Sequence, residues 1–171
     1  MKCYPNMYQK SIYNINYKKL KKLGIKCLIF DLDNTIALID QHVITNETKK
    51  LLLDLKKDFK IVIISNNVTS RVKSYADYLE CDFVANSMKP LSKGYRKIRK
   101  KYHLSKKEMC MIGDQIVTDI YGGNRYNIFT ILVDPLGTKD LKITSLNRFI
   151  ERKILKRYEK KQIMKKGVYY E

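Results

Sequence analysis

The 171-residue chain has no tryptophan, three prolines, seven glycines and four cysteines, and its 17 acidic residues are outnumbered by 35 lysines and arginines. Each scarcity closes off a class of protein. No stretch reaches the roughly 18 successive apolar residues that a membrane-spanning helix needs. The opening MKCYPNMYQKSIYNINY has no apolar core of a secretory signal, so a soluble, cytoplasmic protein is expected. Cys3, Cys27, Cys81 and Cys110 are far apart and form no Cys-x-x-Cys pair, which argues against a zinc site or disulfide frame and for reduced core thiols. Scarce Gly, Pro and Trp beside abundant Lys, Ile, Asn and Tyr is the bias of a low-GC coding sequence and bears on no function.

The length fits one ordinary domain over residues 1–171. Largely apolar runs without alternation, Cys27 to Asp31, Lys60 to Ser65, Phe83 to Ala85, Met109 to Gly113 and Ile128 to Val133, are predicted as strands covered on both faces. Helical spacing recurs in Tyr17 to Leu23, Thr45 to Lys57, Val68 to Leu79, Leu91 to Tyr102 and Gln115 to Asn124, with Gly24 ending the first of these. The alternation predicts an α/β fold, a Rossmann-like doubly wound parallel sheet of about five strands. Its core would span about 26–135, flanked by a basic N-terminal segment, 1–25, and a basic helical tail, 142–171.

The formal charge of +18 sits mostly at the two ends. Residues 1–26 carry seven lysines and no acid, and residues 142–171 carry ten basic residues against three acids. Such ends suit an anionic membrane face, RNA or an acidic partner, and equally a solvated Lys-rich surface with no partner. In the tail, Phe149, Ile150, Ile154 and Tyr158 form a helical apolar stripe flanked by Arg148, Arg152, Lys153, Lys156 and Arg157. This stripe packs on the domain or lies on a membrane surface, and packing is the commoner use. His42 and His103 stand isolated and receive no role.

Polar residues gather where the predicted strands end. In IFDLDNT, Asp31 and Asp33 alternate with Leu32, so an extended backbone sends both carboxylates to one side and the leucine to the core. The same pair also fits an exposed strand end with turn-forming residues. Ser65, Asn66 and Asn67 end the second strand, Gly113 and Asp114 end the fourth, Asp119 lies five residues on, and Lys89 stands in the loop Met88-Lys89-Pro90. Taken singly, Ser65 and Asp114 could cap helices and Lys89 could be solvated. Taken together they put four carboxylates, a hydroxyl and an ammonium on the carboxyl edge of one sheet, where doubly wound folds bind ligands. A carboxylate can attack a phosphoryl group when cations offset the repulsion, and a second acid nearby can manage the protons.

DLDNT, a strand-end serine, Lys-Pro and GDQIVTD, in this order, resemble the haloacid dehalogenase (HAD) superfamily of aspartate-based phosphatases over roughly residues 26–135. Pro5, SIYNINY, LKKLGIK, ISNN at 64–67, GDQIVTDIYGGNRYN at 113–127 and Asn147-Arg148 resemble its YqeG-type branch in subclass IIIA. That branch is related to mitochondrial phosphatidylglycerophosphate phosphatases. The resemblance implies Asp31 as nucleophile and Asp33 as general acid/base. It implies Ser65, Asn66 and Lys89 as phosphate-binding groups, and Asp119 as support for the lysine or the metal shell. A Mg²⁺ ion would be held by Asp31, the Asp33 carbonyl and Asp114.

About a dozen residues separate Asp33 from the next helix, and fewer separate Phe83 from Lys89, so neither gap holds a folded cap domain. An open site favours a phosphate carried on something large. The leading expectation is a magnesium-dependent phosphomonoesterase acting on phosphatidylglycerophosphate or a similar anionic lipid, with peripheral contact at the inner membrane face. The alternatives are the same chemistry on a soluble or nucleic-acid phosphate, and a basic RNA- or ribosome-associated binding protein.

Overall fold

The computed structural model describes residues 3–41, 43–137 and 142–171, the side chains of 142–146 excepted. His42, noted above as isolated, therefore lies outside the described residues. In chain order the elements are β1 (Met7–Gln9), α1 (Tyr17–Lys22), β2 (Cys27–Phe30), α2 (Asn46–Leu55), β3 (Lys60–Ile64), α3 (Thr69–Tyr78), β4 (Asp82–Val84), α4 (Lys93–Lys101) and β5 (Met109–Gly113). A π-helical turn (Ile116–Ile120) then runs into α5 (Tyr121–Tyr126), followed by β6 (Phe129–Val133) and α6 (Lys142–Lys160).

The six strands form one parallel sheet in the order β1-β6-β5-β2-β3-β4. The sheet has one more strand than the sequence pattern indicates. β1 is three residues long inside a polar, Tyr- and Lys-rich segment, and its ladder partner, β6, lies more than 120 residues away, with Met7 opposite Ile131. Its outer edge is covered by the C-terminal segment, where Tyr8 and Tyr170 exchange backbone hydrogen bonds of 3.0 and 2.9 Å. That pairing gives the edge strand's free N–H and C=O partners they would otherwise lack.

Alternate residues of the central strands feed two cores. Leu28 and Phe30 of β2 join Ile61 and Ile63 of β3 against helices α1 to α3, while Cys27 and Ile29 join Val62, Ile64 and Met111 against Tyr95 and Ile98 of α4. Burial on both faces explains why these strands read as unbroken apolar runs. Among the described residues, the 31–45 and 85–92 connections hold no inserted domain. No described helix is long and apolar enough to cross a membrane. The four cysteines are free thiols.

The tail splits the expected apolar stripe. Ile154, Leu155 and Tyr158 of α6 pack with Cys3, Tyr8, Ile116 and Leu132 in a third cluster, whereas Phe149 and Ile150 remain exposed. α6 is thus part of the domain, and its first described side chains reach the carboxyl edge of the sheet.

Candidate active site

β2 has a neighbour on each side from a different half of the fold, β5 and β3, so the crevice at its carboxyl end is the topological switch point. Asp31 directly follows β2, Ser65 follows β3, and Asp114 follows β5. The residues around this crevice enclose a cavity of about 190 Å³ lined by Asp31, Asp33, Ser65, Asn66, Lys89 and Asn147, among others.

Asp31 is buried, and its orientation is fixed by the Leu32 N–H, which donates to Oδ1 at 2.8 Å. Leu32 itself is fully buried in the core, as alternation requires. The Lys89 ammonium lies 2.7 Å from Asp31 Oδ1 and 2.8 Å from Asp119 Oδ1, and it donates to the Ile64 carbonyl at 3.2 Å. All three of its N–H groups are therefore used. Burial works against its charge, but Asp119 and Asp31 more than offset that, so Lys89 is held protonated.

Asp119 is fully buried in the π-helical turn, a local widening of the helix common at functional sites. Its Oδ2 accepts the Gln115 N–H at 3.1 Å. Gly113 is what lets it come so close: a Cβ added there would meet Asp119 Oδ2 at 2.3 Å. The glycine of the GDQ motif thus leaves room for a carboxylate rather than enabling an unusual backbone conformation.

Asp114 accepts from Thr35 Oγ1 at 3.1 Å and is paired with the Arg148 guanidinium, which also donates to the Asp114 carbonyl at 3.1 Å and to Glu151 at 3.1 Å. Carboxylate oxygens of Asp31, Asp114 and Asp119 all lie within 4.8 Å of one another. Burial raises Asp31, with Asp119 and Asp114 adding to the effect against Lys89. Burial likewise raises Asp114 to about 7, opposed by Arg148 and reinforced by Asp119. Three crowded carboxylates against two fixed cations favour a bound proton or a hard divalent cation, and their oxygen donors suit Mg²⁺.

Asp33 faces another way. Arg71 of α3 donates to its Oδ1 from Nε at 3.1 Å and Nη2 at 2.7 Å, and Asn67 donates to its Oδ2 at 3.2 Å. Arg71 also ties down the following loop through the carbonyls of Leu38 and Gln41. Ser65 is buried on the cavity wall, its hydroxyl accepting the Asn67 N–H at 3.1 Å. Asn66 lines the cavity too, but its side chain is engaged with the Lys89 loop. Its Oδ1 accepts from Lys89 N–H at 2.7 Å and its Nδ2 donates to Lys89 O at 3.0 Å. It positions the lysine, and one of its two amide N–H groups is used in doing so.

The structure therefore gathers Asp31, Ser65, Lys89, Asp114 and Asp119 at one point, sets Asp33 at its margin, and gives Asn66 a supporting place. Arg71, Thr35 and Gln115 escaped the sequence reading. Arg71 is the most consequential, and its signal is positional: helices of such a sheet begin at the carboxyl edge, so first-turn residues face the site.

Residues 15–127 match the family model described as haloacid dehalogenase-like hydrolase. The chain belongs to the haloacid dehalogenase-like hydrolase family. It is 36% identical over 158 residues, 92% of either chain, to the Bacillus subtilis (strain 168) protein "Probable phosphatase YqeG". It is 26% identical over 168 residues to "Phosphatidylglycerophosphate phosphatase 1, chloroplastic/mitochondrial" of Arabidopsis thaliana. That match takes in 92% of this chain but spans only 48% of the plant protein. Its fold is shared by the crystal structure of the Bacillus subtilis protein YfnB bound to magnesium, with a TM-score of 0.56 at 13% identity, over 69% of this chain and 90% of that one.

Proposed function

We propose that the protein is a magnesium-dependent phosphomonoesterase that works through an aspartyl-phosphate intermediate. The observation that carries this reading is the buried Asp31–Lys89–Asp119 array, whose Asp31 and Lys89 line one cavity with Ser65. Asp31 attacks phosphorus and the ester P–O bond breaks. Asp33 gives a proton to the departing alkoxide, then takes one from the water that attacks the acyl phosphate, releasing inorganic phosphate and restoring Asp31. The Ser65 hydroxyl and the Lys89 N–H that now faces Asp31, freed as that carboxylate bonds to phosphorus, hold the non-bridging oxygens. For either proton transfer Asp33 must turn from Arg71 toward the cavity.

Asp31, Asp114 and the Asp33 carbonyl would hold Mg²⁺, which when bound supplies neutralising charge for the phosphoryl oxygens. Asp119, already committed to Lys89 and the Gln115 N–H, supports this shell without joining it. The substrate we favour is phosphatidylglycerophosphate or a similar anionic lipid phosphate. Similarity to the plant phosphatidylglycerophosphate phosphatase and the short, capless connections around the site support that choice. The test is hydrolysis of a panel of phosphomonoesters, the lipid in detergent included, with and without Mg²⁺. Turnover of the lipid well above that of soluble sugar phosphates and nucleotides is the expected result, and the reverse preference would remove the lipid assignment.

A further inference from the structure

Of the fifteen large apolar side chains exposed among the described residues, six lie along one edge of the sheet. Val43 lies in the loop after the β2 motif, Val68 caps α3, Met88 and Leu91 flank the Lys89 turn, Leu136 follows β6, and Phe149 stands in α6 beside Arg148. All six are exposed; the first five belong to connections or a helix start at the carboxyl edge of the sheet, on which the cavity opens, and Phe149, inside α6, follows the Arg148 that reaches Asp114 there. Single exposed apolar residues are ordinary, but a set of them around one opening forms a surface whose hydration costs free energy unless something covers it.

The charges interleaved with this ring say what covers it. Lys93 and Arg96 in the first turns of α4 and Arg152 in α6 are exposed and have no carboxylate partner among the described residues. Lys153 lies 4.4 Å from the Phe149 ring centroid, so an aromatic face and an ammonium project together. Apolar side chains that can enter an acyl boundary, with unpaired cations beside them at headgroup level, are the composition of an interfacial lipid contact. A protein partner would be matched by the apolar set but not by cations left without acids, and RNA would use the cations but not the aliphatic ring.

We propose that this carboxyl-edge ring docks the protein on an anionic lipid bilayer with the cavity facing the headgroups. The docking element is then the rim of the site, to which the tail helix adds Phe149, Arg152 and Lys153, while its Ile154, Leu155 and Tyr158 are used in the core. The proposal rests on the lipid-phosphate reading for its purpose but not for its test, which is binding.

The full-length protein would be sedimented with phosphatidylcholine vesicles containing phosphatidylglycerol, and with phosphatidylcholine vesicles alone. Three proteins are compared: wild type, a rim variant (Val43→Glu, Leu91→Glu, Phe149→Glu), and a control with the same added charge elsewhere (Leu23→Glu, Leu53→Glu, Ile163→Glu). Wild type and control are expected to bind the anionic vesicles alike, and the rim variant at least about tenfold more weakly, about 1.4 kcal/mol in binding free energy. All three should hydrolyse p-nitrophenyl phosphate equally, showing that they fold. Equal loss in rim and control variants would overturn the proposal, since only overall charge would then matter. So would a wild type that ignores anionic vesicles, whether or not it binds single-stranded RNA. Lipid hydrolysis in detergent separates the two readings. If it persists while vesicle binding fails, the docking surface falls and the substrate assignment stands; binding without lipid hydrolysis gives the converse.

Discussion

Replacing Lys89 with Met keeps an unbranched apolar stem of similar length and removes the ammonium with its three donors. In the folded protein that ammonium is almost wholly buried and touches Asp31 at 2.7 Å, Asp119 at 2.8 Å and the Ile64 carbonyl at 3.2 Å. Lys89→Met therefore leaves two buried carboxylates, already within 4.8 Å of each other and of Asp114, without their shared cation. Breaking a buried pair from one side costs about 3–5 kcal/mol. In a chain of this length, 3 kcal/mol corresponds to a fall in Tm of about 6–12 °C. Part of the loss is recoverable, because Asp31, already raised by burial against Lys89, can take up a proton. Removing the lysine raises the folded-state proton affinity of Asp31 further, so the variant keeps more stability at low pH and loses it as pH rises. Thermal unfolding of both proteins without metal at pH 5 and pH 8 should show the larger gap at pH 8. Turnover should fall about 10²–10³-fold, the usual loss when one stabilising cation or donor is removed from a reacting centre. A variant that melts with wild type at both pH values and turns over normally would refute the assignment of Lys89 as the neutralising centre.

Other perturbations probe different parts of the site. Asp114 is raised from an ordinary 3.8 to about 7, so the folded metal-free protein retains a proton that the unfolded chain has released between those values. Stability is then lost as pH rises through that window, by up to about 4 kcal/mol, and urea unfolding should show Mg²⁺ restoring it at pH 8 and Asp114→Asn reducing the slope to the part that Asp31 and Glu151, also raised by burial, contribute. Gly113→Ala forces a Cβ against Asp119 Oδ2 and should cost about 1–3 kcal/mol in urea unfolding, together with lowered kcat as Asp119 shifts from Lys89. Arg71→Met leaves Asp33 with Asn67 as its remaining side-chain donor among those described. Its kcat should fall more for alkyl phosphates, whose leaving group needs a proton, than for p-nitrophenyl phosphate, whose leaving group does not. A uniform loss across both would mean that Arg71 acts only on stability.

The central part of this fold is legible because its physics is local. A strand buried on both faces must be an apolar run, and a carboxylate that ends such a run must sit at the sheet edge, so Cys27 to Asp31 and Met109 to Asp114 announce themselves. β1 does not, because a three-residue edge strand is defined by its pairing with distant Ile131 to Val133 and not by its composition. Asn66 reads as a polar rim residue and is one, but only the structure shows that its amide holds the Lys89 backbone on both sides. Arg71 looks like one more base in a basic chain until its guanidinium is seen on Asp33. The tail shows the same limit. Its apolar stripe marks a helix, yet which residues pack and which stay exposed depends on a surface built from Tyr8, Ile116 and Leu132, far away in sequence.

The most direct measurement is to mix the protein with a phosphomonoester and Mg²⁺, quench in acid, and locate any phosphoryl group by peptide mass spectrometry. A phosphorylated peptide containing Asp31, absent from the inactive Asp31→Asn protein, is the expected result. Full turnover by Asp31→Asn, or a phosphoryl group carried stably on another residue, would contradict the mechanism.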